Sequence, residues 1–204
     1  MSKVKIPAEA DNGDPLHVPH KPKPEDLVAI IDTAEQLPYD LSPMQMVRGN
    51  LYTGDYSLVG LEDEICIERK SLSDFLGVVG GDRERFDREI IRMLAYKSRA
   101  MVIEATWEQV ETGDWPEYET KDGEIKKSEV TATAALGSIY GWMARGIPVV
   151  LMGTRQRSQQ FVARALYFAA RRAVEDVRRT LLGRVDPHIV KAESQHQGPP
   201  EEYV

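Results

Sequence analysis

Apolar residues come in short dense runs separated by charged stretches, and the spacing within each run predicts an element. Leu27–Asp32 (LVAIID) has no polar interruption until its end, the signature of a strand buried on both faces. Leu51–Val59 and Glu64–Lys70 are strand-like and are joined by Gly60, Leu61, Glu62 and Asp63, a connection that predicts an antiparallel hairpin. Ser71 and Ser73 suit a helix cap. Leu72, Phe75, Leu76 and Val79 follow at helical spacing until Gly80 and Gly81. A second helix is expected over Asp82–Lys97. Ala100–Glu104 and Ile147–Met152 read as buried strands, separated by an acidic loop and an Ala-rich helix over Ser128–Ala144, and Gln156–Leu182 reads as a long Arg-studded helix. Strands alternating with helices predict an α/β, three-layer domain: a central mixed β-sheet flanked by helices. No internal repeat is present.

The ends differ from the middle. Residues 1–25 carry Pro7, Pro15, Pro19, Pro22 and Pro24 without periodicity, which predicts a disordered arm, and residues 183–204 read as a flexible tail. That leaves one domain over residues 26–182. The 204 residues are 42% hydrophobic, enough for a sizeable core. Cys66 is the single cysteine, no apolar run approaches the roughly 18 residues of a membrane span, and no hydrophobic leader opens the chain, so a cytoplasmic, reducing setting without membrane contact is expected. The histidines, His17, His20, His188 and His196, lie near the termini, so a metal site in the domain has to be built from carboxylates.

Formal net charge is −7, which excludes a uniformly basic nucleic-acid coat, but the charge is segregated. Glu104–Glu129 holds nine acidic residues against Lys121, Lys126 and Lys127, and Arg155–Arg184 holds eight arginines against Glu175 and Asp176. The second stretch can present a basic face to a phosphate backbone, or simply a solvated helix face.

The candidate chemistry sits in Gly54-Asp55-Tyr56 and Glu68-Arg69-Lys70. Side chains alternate along a strand, so Glu68 and Lys70 project from one face and Arg69 from the other. Across the hairpin Asp55 can come close to Glu68 if the register suits, which would place two carboxylates beside one ammonium. Mg²⁺ takes hard oxygen ligands, using one or two protein carboxylates with waters and phosphate oxygens, and Mn²⁺ is expected to substitute. Asp55 and Glu68 would anchor it, and Lys70 would orient a water and steady developing charge, so phosphodiester hydrolysis is the reaction expected. Asp32 and Glu35, just past the first strand, would bring a second metal or hold its waters.

The run GDY…ERKSLSD resembles the GDx(n)ERKx3D signature of the XPF-type structure-specific endonucleases, the nuclease domain named for excision repair cross-complementation group four. Asp32-Thr33-Ala34-Glu35 is similar to that family's Asp-x-Arg-Glu, and DRERFDREIIRML (residues 82–94) to its arginine-led helix. The resemblance covers about residues 27–182 and implies a restriction-endonuclease-like core. It also implies that Asp55 and Glu68 are metal ligands, that Asp32 and Glu35 complete the acidic pocket, and that Lys70 is catalytic. Arg69 and Asp74 would be supporting members of the motif, and Arg85 the DNA-binding arginine of the following helix. Two departures stand out: Ala34 occupies the place of the family arginine, and the helix-hairpin-helix modules usual in relatives do not follow the last helix.

The function expected is a metal-dependent DNA endonuclease acting on branched or junction-containing DNA in repair or recombination, as a homodimer or with a partner subunit. A silent DNA-binding scaffold and a junction-resolving or restriction-like nuclease are the rivals. Trp142 is expected in the core, Trp115 remains open as a base-stacking residue, and Cys66 is expected as a small buried hydrophobe. Arg83, Arg88 and Arg92 are expected to pair along their own helix.

Overall fold

Strand β1 (Val28–Asp32) buries its three central residues because it is covered on both sides. The computed structural model describes residues 20–81, 83–120 and 122–182. Beside β1, the main sheet contains β2 (Gln45–Gly49), β3 (Tyr56–Leu58), β4 (Ile65–Lys70) and β5 (Ser98–Ile103). A separate ribbon is formed by β6 (Tyr118–Glu119) and β7 (Ile125–Lys126), and the sixth strand of the main sheet is β8 (Val149–Leu151). The order is β2-β1-β3-β4-β5-β8. β1, β3 and β4 run antiparallel to their neighbours in the centre, with Tyr56 opposite Ile67, while the β1–β2, β4–β5 and β5–β8 pairs are parallel. The mixed sheet expected from the sequence is therefore the one observed.

The helices are α1 (Leu72–Gly80), α2 (Arg83–Met93), α3 (Trp107–Thr112), α4 (Ala132–Ala144) and α5 (Arg155–Leu182). Strand alternation divides the core in two. Cys66, Met101 and Ile103 face α1–α4, whereas Ile65, Ile67 and Val102 face Val162, Leu166 and Ala170 of α5. Trp142 of α4 meets Phe75 of α1 and Phe86 of α2 edge-on, at 6.1 and 5.2 Å between ring centroids, and so locks three helices together. Residues 23–170 form one compact unit. The other described residues, 20–22 and the last turns of α5, 171–182, fall in a second unit.

Several boundaries differ from expectation for identifiable reasons. The first hairpin strand shortens to Tyr56–Leu58, because the chain before it bends through Gly54 instead of extending. Helix α2 stops at Met93, not Lys97: the Arg99 guanidinium takes the Leu94 and Tyr96 carbonyls at 3.4 and 2.6 Å and holds them in a turn. Helix α4 starts at Ala132, where the Thr131 hydroxyl accepts the Ala134 N–H. Four elements were not expected. β2 is an exposed edge strand, and the acidic loop contains α3 and the β6–β7 ribbon. Pro24–Asp26, across the expected boundary between arm and domain, forms a single 3₁₀ turn; residues 1–19 and 183–204 lie outside the described residues. Among the described residues no helix is long and apolar enough to cross a membrane.

Candidate active site

The C-terminal end of β4 places three consecutive charged residues on alternating faces. Glu68 and Lys70 lie on the α1–α2 side as an ion pair, Lys70 Nζ donating to Glu68 Oε1. Glu68 is 2% exposed, and its Oε2 is buried without a hydrogen-bond partner. The Lys70 ammonium sits over the Phe86 ring at 4.7 Å, held by α2 as well as by Glu68.

Asp55 reaches this pair from the β3 side. Its N–H donates to the Ile67 carbonyl at 2.9 Å and its Oδ2 accepts the Arg69 N–H at 2.7 Å. Gly54 permits the approach: its φ is +81°, and a Cβ there would lie 2.6 Å from Cys66 Sγ and 3.2 Å from the Ile67 oxygen. Burial pushes the Asp55 carboxyl up to about 6, against the opposing pull of the Arg69 N–H and the Lys70 charge. Burial, then the nearby Asp55 charge, raises Glu68 well above the usual carboxylate range despite Lys70. Burial alone would lower Lys70, but the Glu68 charge and hydrogen bond lift it above its ordinary value, so it remains an ammonium.

Arg69 points to the other face, as alternation predicts. Its Nε donates to Glu104 Oε1 at 2.9 Å and to the Tyr39 hydroxyl at 3.2 Å, and its Nη1 lies 3.3 Å from Glu35 Oε1. The Tyr39 hydroxyl donates to Glu104 at 2.6 Å, and the Tyr39 ring stacks on Tyr56 with centroids 5.4 Å apart. Arg155, at the start of α5, lies 4.8 Å from the centre of the Tyr39 ring and donates to the Leu37 and Pro38 carbonyls, both at 2.7 Å. Arg69 thus fixes β4 from behind rather than facing the cleft alone.

The segment after β1 is a tight turn. Asp32 Oδ1 accepts the Ala34 N–H at 2.8 Å and Oδ2 the Leu51 N–H at 2.7 Å, so both oxygens serve the backbone. Glu35 accepts the Leu37 N–H at 2.8 Å and pairs with Arg69. Arg48 of β2 donates to the Asp32 and Glu35 carbonyls at 2.9 and 2.6 Å, which ties the edge strand to this turn. Ala34, Glu35, Asp55, Lys70 and Asp74 line a common cleft of about 420 Å³. Asp74 sits in the first turn of α1, where its carboxylate accepts the Ser71 hydroxyl at 2.6 Å while the Ser71 oxygen accepts the Asp74 N–H at 3.1 Å. Arg85 is exposed on α2, outside the residues lining the cleft.

Asp55, Glu68 and Lys70 are therefore brought together, with Glu35 and Asp74 on the same cleft and Asp32 engaged in the turn. Among the described residues no group of three or more His, Cys, Asp or Glu side chains is arranged to hold a metal ion. The fit to a cation is that of a carboxylate pair: Asp55 and Glu68 are hard oxygen donors in a dry setting, and the unpartnered Glu68 Oε2 lacks the counter-charge that a divalent ion supplies. Mg²⁺ matches this set, because it keeps several waters and needs few protein ligands.

Other expectations divide. Trp142 is a core residue, and Cys66 is buried with its thiol pushed up by burial, an inert side chain. Trp115 is not available for stacking: it is 2% exposed and its indole N–H donates to the Val130 carbonyl at 2.6 Å. The arginine-led helix makes contacts across the fold. Arg83 donates to Ser138 of α4 at 3.0 Å, Asp87 pairs with Arg145 at 2.7 Å, and Arg92 faces the Tyr52 ring at 5.9 Å. On α5, Arg157 and Arg164 are exposed, Arg155 turns inward and Arg172 pairs with Asp176 at 3.1 Å. Tyr39, Glu104, Arg155 and Phe86 are the residues missed by sequence reasoning; only Glu104 carried a signal, as a carboxylate ending a buried strand. Glu89, one turn past Phe86 on α2, also acts on Asp55, Glu68 and Lys70 through its charge.

The ERCC4 domain family model matches residues 31–194. No curated protein matches the chain. Among solved structures, XPF from Aeropyrum pernix is similar with a TM-score of 0.52 and 19% identity, covering 81% of this chain and 73% of that one. XPF from Aeropyrum pernix in complex with DNA gives a TM-score of 0.42 and 16% identity, over 85% of this chain and 76% of that one.

Proposed function

This chain belongs to the ERCC4 domain family, and from that premise we propose that it is a metal-dependent DNA endonuclease acting on branched or junction-containing DNA. The observation that carries the reading is the Asp55–Glu68–Lys70 group, in which the buried Glu68 Oε2 has no hydrogen-bond partner among the described residues. A fold that used this end of β4 only as a scaffold would need one carboxylate to balance Lys70; the second adds a repulsion that only a further cation offsets.

Asp55 and Glu68 would hold Mg²⁺, which when bound polarises the scissile phosphoryl group and acidifies a water. Lys70, anchored by Glu68 and Phe86, stays charged at neutral pH and so is placed to orient the attacking water and to stabilise charge developing on a phosphate oxygen. Arg69 positions β4 through Glu104, Tyr39 and Glu35 and leaves the reacting atoms to its neighbours. Asp74 and Ser71 fix the first turn of α1 along the cleft. Arg85, exposed on α2, is assigned a phosphate contact.

The test is cleavage of labelled flap, fork, nicked and plain duplex DNA with Mg²⁺ or Mn²⁺, beside Glu68→Gln and Asp55→Asn. Wild-type cutting that needs metal, with a loss of at least about 100-fold in each variant, is the expected result. The order of substrates reports the preferred branch. Metal-independent cutting, or variants as active as wild type, would overturn the assignment. DNA binding without cleavage would instead favour a scaffold subunit.

A further inference from the structure

A second hollow, of about 910 Å³, lies between α1, the β6–β7 ribbon and the start of α4, and meets the candidate active site at Ser73. Its floor is apolar: Leu72, Leu76, Val130 and Ala134 rest half-buried on the core, each leaving part of its surface to solvent. The charged residues of its rim are Glu117, Glu129, Lys126 and Lys127, and both lysines are paired with carboxylates outside the hollow, Glu124 at 2.8 Å and Asp114 at 2.7 Å, which leaves the two glutamates as excess negative charge. Glu117 and Glu129 line the same hollow, exposed and without an ion pair among the described residues. The segment containing them, Glu104–Glu129, has three times as many acidic residues as lysines.

These two properties select an occupant. A DNA strand would bring its phosphates against an acidic rim, and among the described residues the groove has no cation free of a carboxylate to compensate the repulsion. A neutral apolar helix would fill the floor but leave the rim carboxylates without partners. A helix with one aliphatic face and basic flanks satisfies both, seating side chains at i, i+3 and i+7 on the floor while its lysines or arginines meet the rim. We propose that this groove docks a cationic amphipathic helix of a partner protein, with its apolar face on Leu72, Leu76 and Val130 and its basic residues on Glu117 and Glu129. The proposal stands apart from the nuclease reading, since it needs neither metal nor DNA.

The probe is a fluorescein-labelled synthetic helix of leucine and lysine, about 18 residues and five turns long, beside an isomer of identical composition with the leucines scrambled. Anisotropy titration of the full chain is expected to favour the amphipathic peptide by about tenfold or more. Leu76→Gln should abolish that preference by spoiling the floor. The exposed pair Glu117→Lys with Glu129→Lys, which leaves the core untouched, should weaken binding by a similar factor and flatten its salt dependence. Equal affinity for the two peptides, or wild-type affinity in the rim variant, would overturn the proposal.

Discussion

At the scale of single residues, the carboxylates beside Lys70 trade stability for chemistry. In the unfolded chain Asp55 ionises near its ordinary 3.8, and in the fold near 6. Between those values the folded chain keeps a proton that the unfolded chain has released, so stability falls as pH rises through this window and stays lower above it. Asp55→Asn in metal-free protein should therefore match wild type near pH 3.8 and below, and exceed it by about 1–3 kcal/mol at pH 7.5, as read by urea unfolding. A variant no more stable at pH 7.5 would show that the Arg69 N–H and Lys70 already offset the burial. Glu104→Ala should behave oppositely, costing about 3 kcal/mol or more at neutral pH because Arg69 and the Tyr39 hydroxyl lose a buried partner. Asp55, Glu68 and Lys70 were legible in the sequence because strand alternation fixes their faces. The partners of Arg69 were not: Tyr39 and Glu104 stand 30 and 35 residues away along the chain, and only the fold makes them neighbours.

At the scale of elements, local signals succeeded where a stretch buries a regular face and failed where it does not. β1, β4, β5 and α5 have dense apolar runs, whereas β2 is an exposed edge whose Met46 and Val47 remain 41% and 43% accessible, so its pattern carries little strand period. Helix α3 is six residues long, yet its Thr106–Gln109 capping box is written in the sequence and is a signal that could have been read. The two-residue strands β6 and β7 leave no pattern at all. Caps also carry energy: Ser71→Ala removes the α1 cap and the hydroxyl that Asp74 holds, and should lower stability by about 1 kcal/mol, seen as a drop in thermal midpoint and faster amide exchange over residues 72–75. Trp142→Ala should cost about 3–5 kcal/mol, since it empties the junction of α1, α2 and α4. A loss below about 1 kcal/mol would mean that the three helices collapse into the space.

At the scale of the whole molecule, the sheet divides two duties between its faces. The α1–α4 side carries the Glu68–Lys70 pair and the α5 side the network that holds β4 rigid, and the cleft opens where the two meet, lined by Lys70 from one and by Arg69 and Glu35 from the other. A fold that holds Asp55 and Glu68 together beside a single ammonium is stabilised by any cation that binds them. Saturating Mg²⁺ should raise the thermal midpoint at pH 7.5 and raise it less at pH 5, where protons compete for Asp55; Glu68→Gln should remove most of the gain. No Mg²⁺-dependent shift at either pH would count against cation binding at this pair. The layer architecture was legible as a whole because it follows from alternating strands and helices, but the turn after β1 was not: it depends on Arg48, from an edge strand the pattern did not announce.

Gly54 separates two histories that the chain's signature runs together. The dipeptide before β3 joins a glycine demanded by the Cys66 sulfur and the Ile67 oxygen to an aspartate that the fold tolerates at a cost. In a library of random variants sorted for folding alone, position 54 would stay glycine and Glu68 would stay with Lys70, while position 55 drifted to neutral residues. Sorted for DNA cleavage, all three would be fixed. Descendants that had abandoned chemistry would then be recognisable by a solitary glycine, the aspartate gone from beside it.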